Sequence, residues 1–147
     1  MTWHCSEKFR KHGVFYFADA QMIGSPGDWV QVAKMLSPVG GRGTFNGRRV
    51  LSPRTVELMF ENQLPALDLG SDYLTADTLE GVPWGGVGVG WGLGGFTMAD
   101  PVKAGSTFSK GTWGWMGIMN TQFVYDPVED MAVLLFTQKA MAGSDYK

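Results

Sequence analysis

A chain of 147 residues with 44% hydrophobic content is long enough for one domain with a sizeable core. Its formal net charge of −2 gives no electrostatic basis for binding nucleic acid or an anionic membrane, and a single cysteine excludes an internal disulfide. No apolar run approaches the roughly 20 residues of a spanning helix, and Met1-Thr2-Trp3-His4-Cys5 opens without the apolar core of a signal peptide, so the expectation is a soluble protein of unassigned compartment.

Residues 1–12 are mixed and polar, ending in Lys8, Arg10, Lys11 and His12, and Val14-Phe15-Tyr16-Phe17 is a short aromatic run with strand character. Ser25-Pro26-Gly27-Asp28 has the grammar of a helix start. Serine accepts from the first free N–H groups, proline suits the first helical position, and aspartate favours the positive end of the dipole. Trp29, Val32, Ala33 and Leu36 then recur at helical spacing as one buried stripe, which Pro38, Gly40 and Gly41 end. Asn46-Gly47, between two short runs, predicts a tight hairpin because both central positions need positive φ. A second helix follows with Ser52 as cap and Pro53 first, its buried face made by Val56, Met59 and Phe60.

Leu64 to Pro83 has no firm period and carries Asp68, Asp72, Asp77 and Glu80, which predicts a long loop or disordered insertion. Val87 to Gly94 alternates apolar residues with glycine, a strand with one bare face that makes sense only if something approaches it closely. Gly90 to Gly95 formally matches GxGxxG, but no helical pattern follows, so a dinucleotide role fails the context test.

Gly111 to Gln138 reads as antiparallel strands. Thr112, Trp113 and Trp115 lead to Gly117, and Thr121 to Tyr125 is β-branched and aromatic. Asp126 to Asp130 is a turn. Met131 to Thr137 is apolar almost throughout, which predicts a strand covered on both faces. Asp126 and Asp130 are read as turn residues, Trp113 as core, and Trp115 as either core or pocket wall. Met22, Met59, Met98, Met116, Met119 and Met131 are read as core gap-fillers.

The run KGTWGWMG followed by NTQFVYDPVEDMAVLLFTQ resembles the C-terminal part of the serine β-lactamase, penicillin-binding protein and family VIII esterase superfamily. The likeness continues upstream through Asp100-Pro101-Val102-Lys103-Ala104-Gly105 and Leu51-Ser52-Pro53-Arg54-Thr55-Val56, covering about Gly24 to Gln138. In that superfamily a strand ends in Lys, His or Trp, any residue, then Gly, and Trp115-Met116-Gly117 falls on this motif. Met116 departs from the esterase-like Trp-Gly-Gly and alters the pocket wall. The resemblance implies an α+β fold with an antiparallel sheet and packed helices. It also implies an acyl-serine mechanism without a cofactor or metal, and a small ester or β-lactam-like substrate for the complete parent. Trp115, Met116 and Gly117 would line the acyl pocket, and the Ile118 backbone N–H would be one of two oxyanion donors.

The superfamily's Ser-x-x-Lys nucleophile motif and its Tyr-or-Ser-x-Asn motif belong to the N-terminal part of its members. Ser6, Ser25, Ser37, Ser52, Ser71, Ser106 and Ser109 lack lysine at the third following position, and no tyrosine or serine is followed two residues later by asparagine. Cys5-Ser6-Glu7-Lys8 has the spacing with cysteine as nucleophile, but lies in a charged stretch with no apolar helix after it. His4, Cys5 and His12 are three loosely spaced metal-ligand types without a fourth. Lys110 lies five residues ahead of the motif position and is read as a solvated charge.

The expectation is therefore a single partial domain. Residues 1–23 form an N-terminal segment, 24–62 two helices with a hairpin between them, 63–85 a long loop, 86–138 antiparallel strands and 139–147 a tail shorter than the superfamily's terminal helix. The nucleophile is expected to be absent and the chain alone to be inactive as a hydrolase. The alternatives are a non-catalytic ligand-binding module and a self-associating one. The partner would be a second copy or a complementing N-terminal chain.

Overall fold

The computed structural model describes residues 25–66, 86–117 and 121–137. Within them the protein is an α+β fold: a five-stranded antiparallel sheet with helices packed on it, and a separate two-stranded hairpin. In chain order the elements are α1 (Pro26–Leu36), β1 (Thr44–Phe45), β2 (Arg48–Arg49), α2 (Pro53–Phe60), β3 (Val89–Trp91), β4 (Phe96–Met98), α3 (Pro101–Ala104), β5 (Trp113–Met116), β6 (Gln122–Asp126) and β7 (Met131–Leu135). Among the described residues no helix is long and apolar enough to cross a membrane.

Both long helices begin where their local chemistry dictates. Ser25 Oγ accepts from the Asp28 N–H, and Asp28 Oδ2 accepts in return from the Ser25 N–H at 2.7 Å, a reciprocal capping box. The Ser25 N–H, and then the Ser25 hydroxyl at 2.8 Å, donate to the Asp28 carboxylate and hold it below its ordinary range. At α2, Ser52 Oγ accepts from the Thr55 N–H at 3.0 Å, and Pro53 takes the first helical position. Between the helices, Asn46 and Gly47 adopt φ of 47° and 74°, the pair of left-handed residues a two-residue hairpin requires.

The large sheet runs in strand order β3-β4-β5-β6-β7, each strand antiparallel to its neighbours. Strand alternation and register sort its side chains into two faces. On one face Trp113 and Tyr125 pack with Leu36 of α1 and Val56 of α2, joined by Val32, Met59, Phe60 and Phe123. Trp29 stacks on Phe123 with ring centres 4.8 Å apart, and Phe60 lies across Trp113 and Tyr125. On the other face Val89, Phe96, Met98 and Val124 form a second core, closed by Ala104 of α3 and by Phe108. The sheet is thus a partition between two cores, one under α1 and α2 and one under α3.

The glycine-alternating stretch is strand only from Val89 to Trp91, because Gly86 and Gly88 turn the backbone to positive φ. Its bare face is used as the pattern requires. A Cβ on Gly90 would come within 2.3 Å of the Asn62 carboxamide, and one on Gly92 within 2.0 Å of the Met59 carbonyl. The end of α2 therefore lies directly on β3. Asn62 Oδ1 accepts from the Trp91 N–H at 3.1 Å, and the Gln63 N–H donates to the Trp91 carbonyl at 2.7 Å. Thr97 adds a tie in the middle of the sheet, its buried hydroxyl donating to the Phe60 carbonyl at 2.6 Å. The GxGxxG match resolves into the β3–β4 hairpin, so that Gly95 leads directly into a strand and not into a helix.

The expectation that Met131–Thr137 is covered on both faces is corrected. Met131, Val133 and Leu135 are 49%, 50% and 46% exposed. β7 is the edge of the sheet, and among the described residues no element packs over that row of side chains. Met131 is likewise no core gap-filler, whereas Met98 is buried and Met59 and Met116 pack against the two cores. Met22, Met119, the aromatic run at Val14–Phe17 and residues 67–85 of the expected long loop lie outside the described residues.

Candidate functional site

β5 crosses the centre of the sheet and runs on past its neighbour. β4 pairs with it only at Trp113 and Gly114, whereas β6 accompanies it from Trp113 to Met116 and beyond, where the Gly117 N–H donates to the Thr121 carbonyl at 2.8 Å. That bond fixes the alternation. Trp113, Trp115 and Gly117 turn their backbone groups to β6, so Met116 turns its own toward the side β4 has already left. Among the described residues no strand pairs with β5 on that side beyond Gly114.

Three residues expected at the site come together at this strand end. Trp115 is 40% exposed, against 6% for Trp113 two residues earlier. Trp113 is locked in place, its indole N–H donating to the Leu93 carbonyl at 3.1 Å and its ring tilted against Phe123. Trp115 instead meets Trp91 edge to face at 4.8 Å and lies 6.5 Å from Phe96. Met116 packs partly into the second core, and Gly117 is exposed, with no non-neighbouring heavy atom of the described residues within 4 Å of where a Cβ would stand. Within the described residues the strand end is an aromatic step followed by an uncrowded glycine.

Trp91 is the member of this cluster that sequence reasoning missed. Its signal was its place between Gly90 and Gly92, whose bare faces let α2 press against the strand. Ile118, the expected backbone donor, lies outside the described residues, as do His4, Cys5 and His12. Among the described residues no group of three or more His, Cys, Asp or Glu side chains is arranged to hold a metal.

The expectation that the nucleophile motif's spacing is absent from the chain is corrected at one further serine. Ser144-Asp145-Tyr146-Lys147 has that spacing at the last residues of the chain. It too lies outside the described residues, and it sits after the strands, whereas the resemblance puts the nucleophile motif before them.

Asp126 and Asp130 do the work of turn residues. Asp126 is 3% exposed. Its Oδ1 accepts from the Val128 and Glu129 N–H groups at 2.9 and 3.1 Å, and its Oδ2 from the Ser109 N–H at 3.1 Å, with the Thr112 hydroxyl also 3.1 Å away. Burial pushes this carboxyl up, but the hydrogen bonds from Glu129, Ser109 and Val128 outweigh it and hold the group below its ordinary range. Asp130, at a left-handed φ of 49°, accepts from the Tyr125 hydroxyl. Burial first, and then that bond, push the Tyr125 phenol well above its usual value. Tyr125 and Asp130 border an open groove of about 750 Å³ between α1, the β1–β2 hairpin and β6–β7, lined also by Met35, Phe45, Ala132 and Leu134. None of its lining residues belongs to the Trp115–Gly117 strand end.

Comparison with known proteins gives the fold. EstCE1, a hydrolase with promiscuous acyltransferase activity, superposes with a TM-score of 0.53 at 24% identity, over 83% of this chain and 26% of its own. The chain has a hydrolase-like α+β fold. Two curated proteins of Mycobacterium tuberculosis are similar in sequence: Protein Rv1367c of strain H37Rv and the uncharacterized protein MT1414 of strain CDC 1551. Each is 33% identical over 114 residues, which is 76% of this chain and 26% of the relative. The chain therefore spans about a quarter of the length of the curated relatives it matches. No family model matches it.

Proposed function

We propose that the Trp115–Met116–Gly117 end of β5 is one wall of the acyl pocket of a β-lactamase-like serine hydrolase acting on esters or β-lactams. The complete enzyme forms and hydrolyses an acyl-serine intermediate. The backbone N–H of Ile118 supplies one oxyanion donor, and the nucleophilic serine, whose own N–H supplies the other, comes from polypeptide this chain does not contain. The observation that carries the reading is the overrun of β5 past β4. Among the described residues it leaves an unpaired strand edge beside a half-exposed tryptophan and an uncrowded glycine, on a fold similar to that of a hydrolase. An acyl group needs such a wall: apolar surface along its chain and a backbone edge at its carbonyl.

An oxyanion donor is worth about 3–4 kcal/mol in a complete site. Without a positioned nucleophile it accelerates nothing, so the purified chain is expected to turn over neither p-nitrophenyl butyrate nor nitrocefin. Tryptophan emission should shift saturably with phenyl acetate, and Trp115→Ala should abolish the shift while leaving the far-ultraviolet circular dichroism unchanged. Turnover that survives Cys5→Ala and Ser144→Ala together would overturn the assignment of the nucleophile to other polypeptide. A flat titration would overturn the pocket wall.

A further inference from the structure

We infer that Trp91 is a positioning residue of the acyl-pocket wall: it holds the Trp115 ring in the one orientation in which that wall receives an acyl group. The inference rests on the acyl-pocket reading of the β5 end.

A half-exposed side chain at a strand end changes rotamer unless its neighbours hold it. Among the described residues two rings meet Trp115. Trp91 lies edge to face with it, centres 4.8 Å and planes 80° apart, and Phe96 stands off at 6.5 Å with its plane tilted by 44°. Among the described residues no acceptor takes the Trp115 indole N–H, whereas that of Trp113 is tied to the Leu93 carbonyl at 3.1 Å. The Trp91 edge-to-face contact is therefore the closer of the two restraints on the ring, and pairs of this geometry attract beyond the area they bury.

Trp91 can hold another ring because it is itself held. Its N–H donates to Asn62 Oδ1 at 3.1 Å, its carbonyl accepts from the Gln63 N–H at 2.7 Å, and it pairs in register with Phe96 of β4. Its ring packs against the second core. The bare Gly90, where a Cβ would stand 2.3 Å from the Asn62 carboxamide, is what admits this fastening. The end of α2 thus acts on the pocket wall through Trp91 without touching it. A ligand that needs one orientation of Trp115 binds only the molecules that have it, so its apparent affinity falls with their fraction. Without the Trp91 ring, Trp115 is released to its three staggered χ1 positions, a loss of about threefold where these are comparably populated.

The 147-residue chain labelled with 5-fluorotryptophan has six fluorine positions, and the Trp115 resonance is the one lost in Trp115→Phe. Phenyl acetate should shift that resonance saturably. Trp91→Leu and Trp91→Met keep apolar bulk without a ring. In both, the unliganded Trp115 resonance should move toward that of a solvent-averaged indole and phenyl acetate should bind about threefold more weakly. The Trp113 resonance, which reports the first core, should stay in place. Trp91→Phe restores an aromatic edge and should recover both the resonance and the affinity. Unchanged affinity in Trp91→Leu and Trp91→Met, with wild-type binding intact, would overturn the positioning role and leave the pocket wall standing. A wild-type Trp115 resonance that phenyl acetate does not move would overturn the wall, and this role with it. Affinity and the Trp113 resonance changing together in every variant, Trp91→Phe included, would make Trp91 a core residue only.

Discussion

The two outer strands of the sheet meet opposite fates. β3 is three residues long and is sealed by the chain leaving α2: Asn62 takes the Trp91 N–H and Gln63 takes its carbonyl. β7 is five residues long and apolar, and among the described residues it has no strand beyond it. The difference lies in what each strand offers. Gly90 in β3 and Gly92 just after it admit a helix end close enough for side chain and backbone to satisfy the edge. β7 presents branched and long apolar side chains, which hold neighbouring backbone away unless it arrives as another strand. At β3 a segment that is not a strand closes the edge because the residues there are small enough to allow the approach.

Variants can break this contrast in a graded way. The largest effect is expected at Asp126, which holds together the turn from which β7 starts. Asp126→Asn loses charged acceptor capacity for at least three backbone N–H groups and should cost about 3 kcal/mol in urea unfolding. The pH dependence should change with it. Asp126 has a depressed pKa in the fold, so its contribution is fully present above the unfolded value of about 3.9 and is lost as pH falls through the folded value. The acid limb of a stability-against-pH curve should therefore flatten in Asp126→Asn.

A smaller loss is expected at the sealed edge. Gly90→Val drives a branched side chain into the Asn62 carboxamide and should cost about 2 kcal/mol, read as a lowered urea midpoint. Asn62→Ala keeps the space but leaves the Trp91 and Leu64 N–H groups without their acceptor, for about 1 kcal/mol. It should also speed hydrogen exchange at Trp91. The smallest effect on stability, under about 0.5 kcal/mol in urea unfolding, is expected for Val133→Lys on the outer strand, where the side chain is half-exposed.

The parts of the fold that were legible in the sequence are those whose cause is local. Ser25 and Ser52 ahead of proline, the Asn46-Gly47 turn and the break at Asp126–Asp130 each draw their conformation from neighbours within a few residues. The α+β class with its antiparallel sheet followed from these and from the resemblance. What failed depended on strand order. An unbroken apolar run looks the same whether a strand is central or outermost, so the exposure of Met131, Val133 and Leu135 had no local signature. At the strand end, the pattern identified Trp115, Met116 and Gly117 but not Trp91, whose contact with Trp115 is made across β4.

The fastening of residues 62 and 63 to Trp91 has a consequence for the sequence between them. The two ends of that stretch are brought together by α2, β3 and their shared contacts, whatever joins them. Chain closure depends only on the logarithm of length, so doubling the connection would cost about 0.6 kcal/mol. A reporter or affinity tag inserted between residues 63 and 86 is therefore expected to leave the sheet folded.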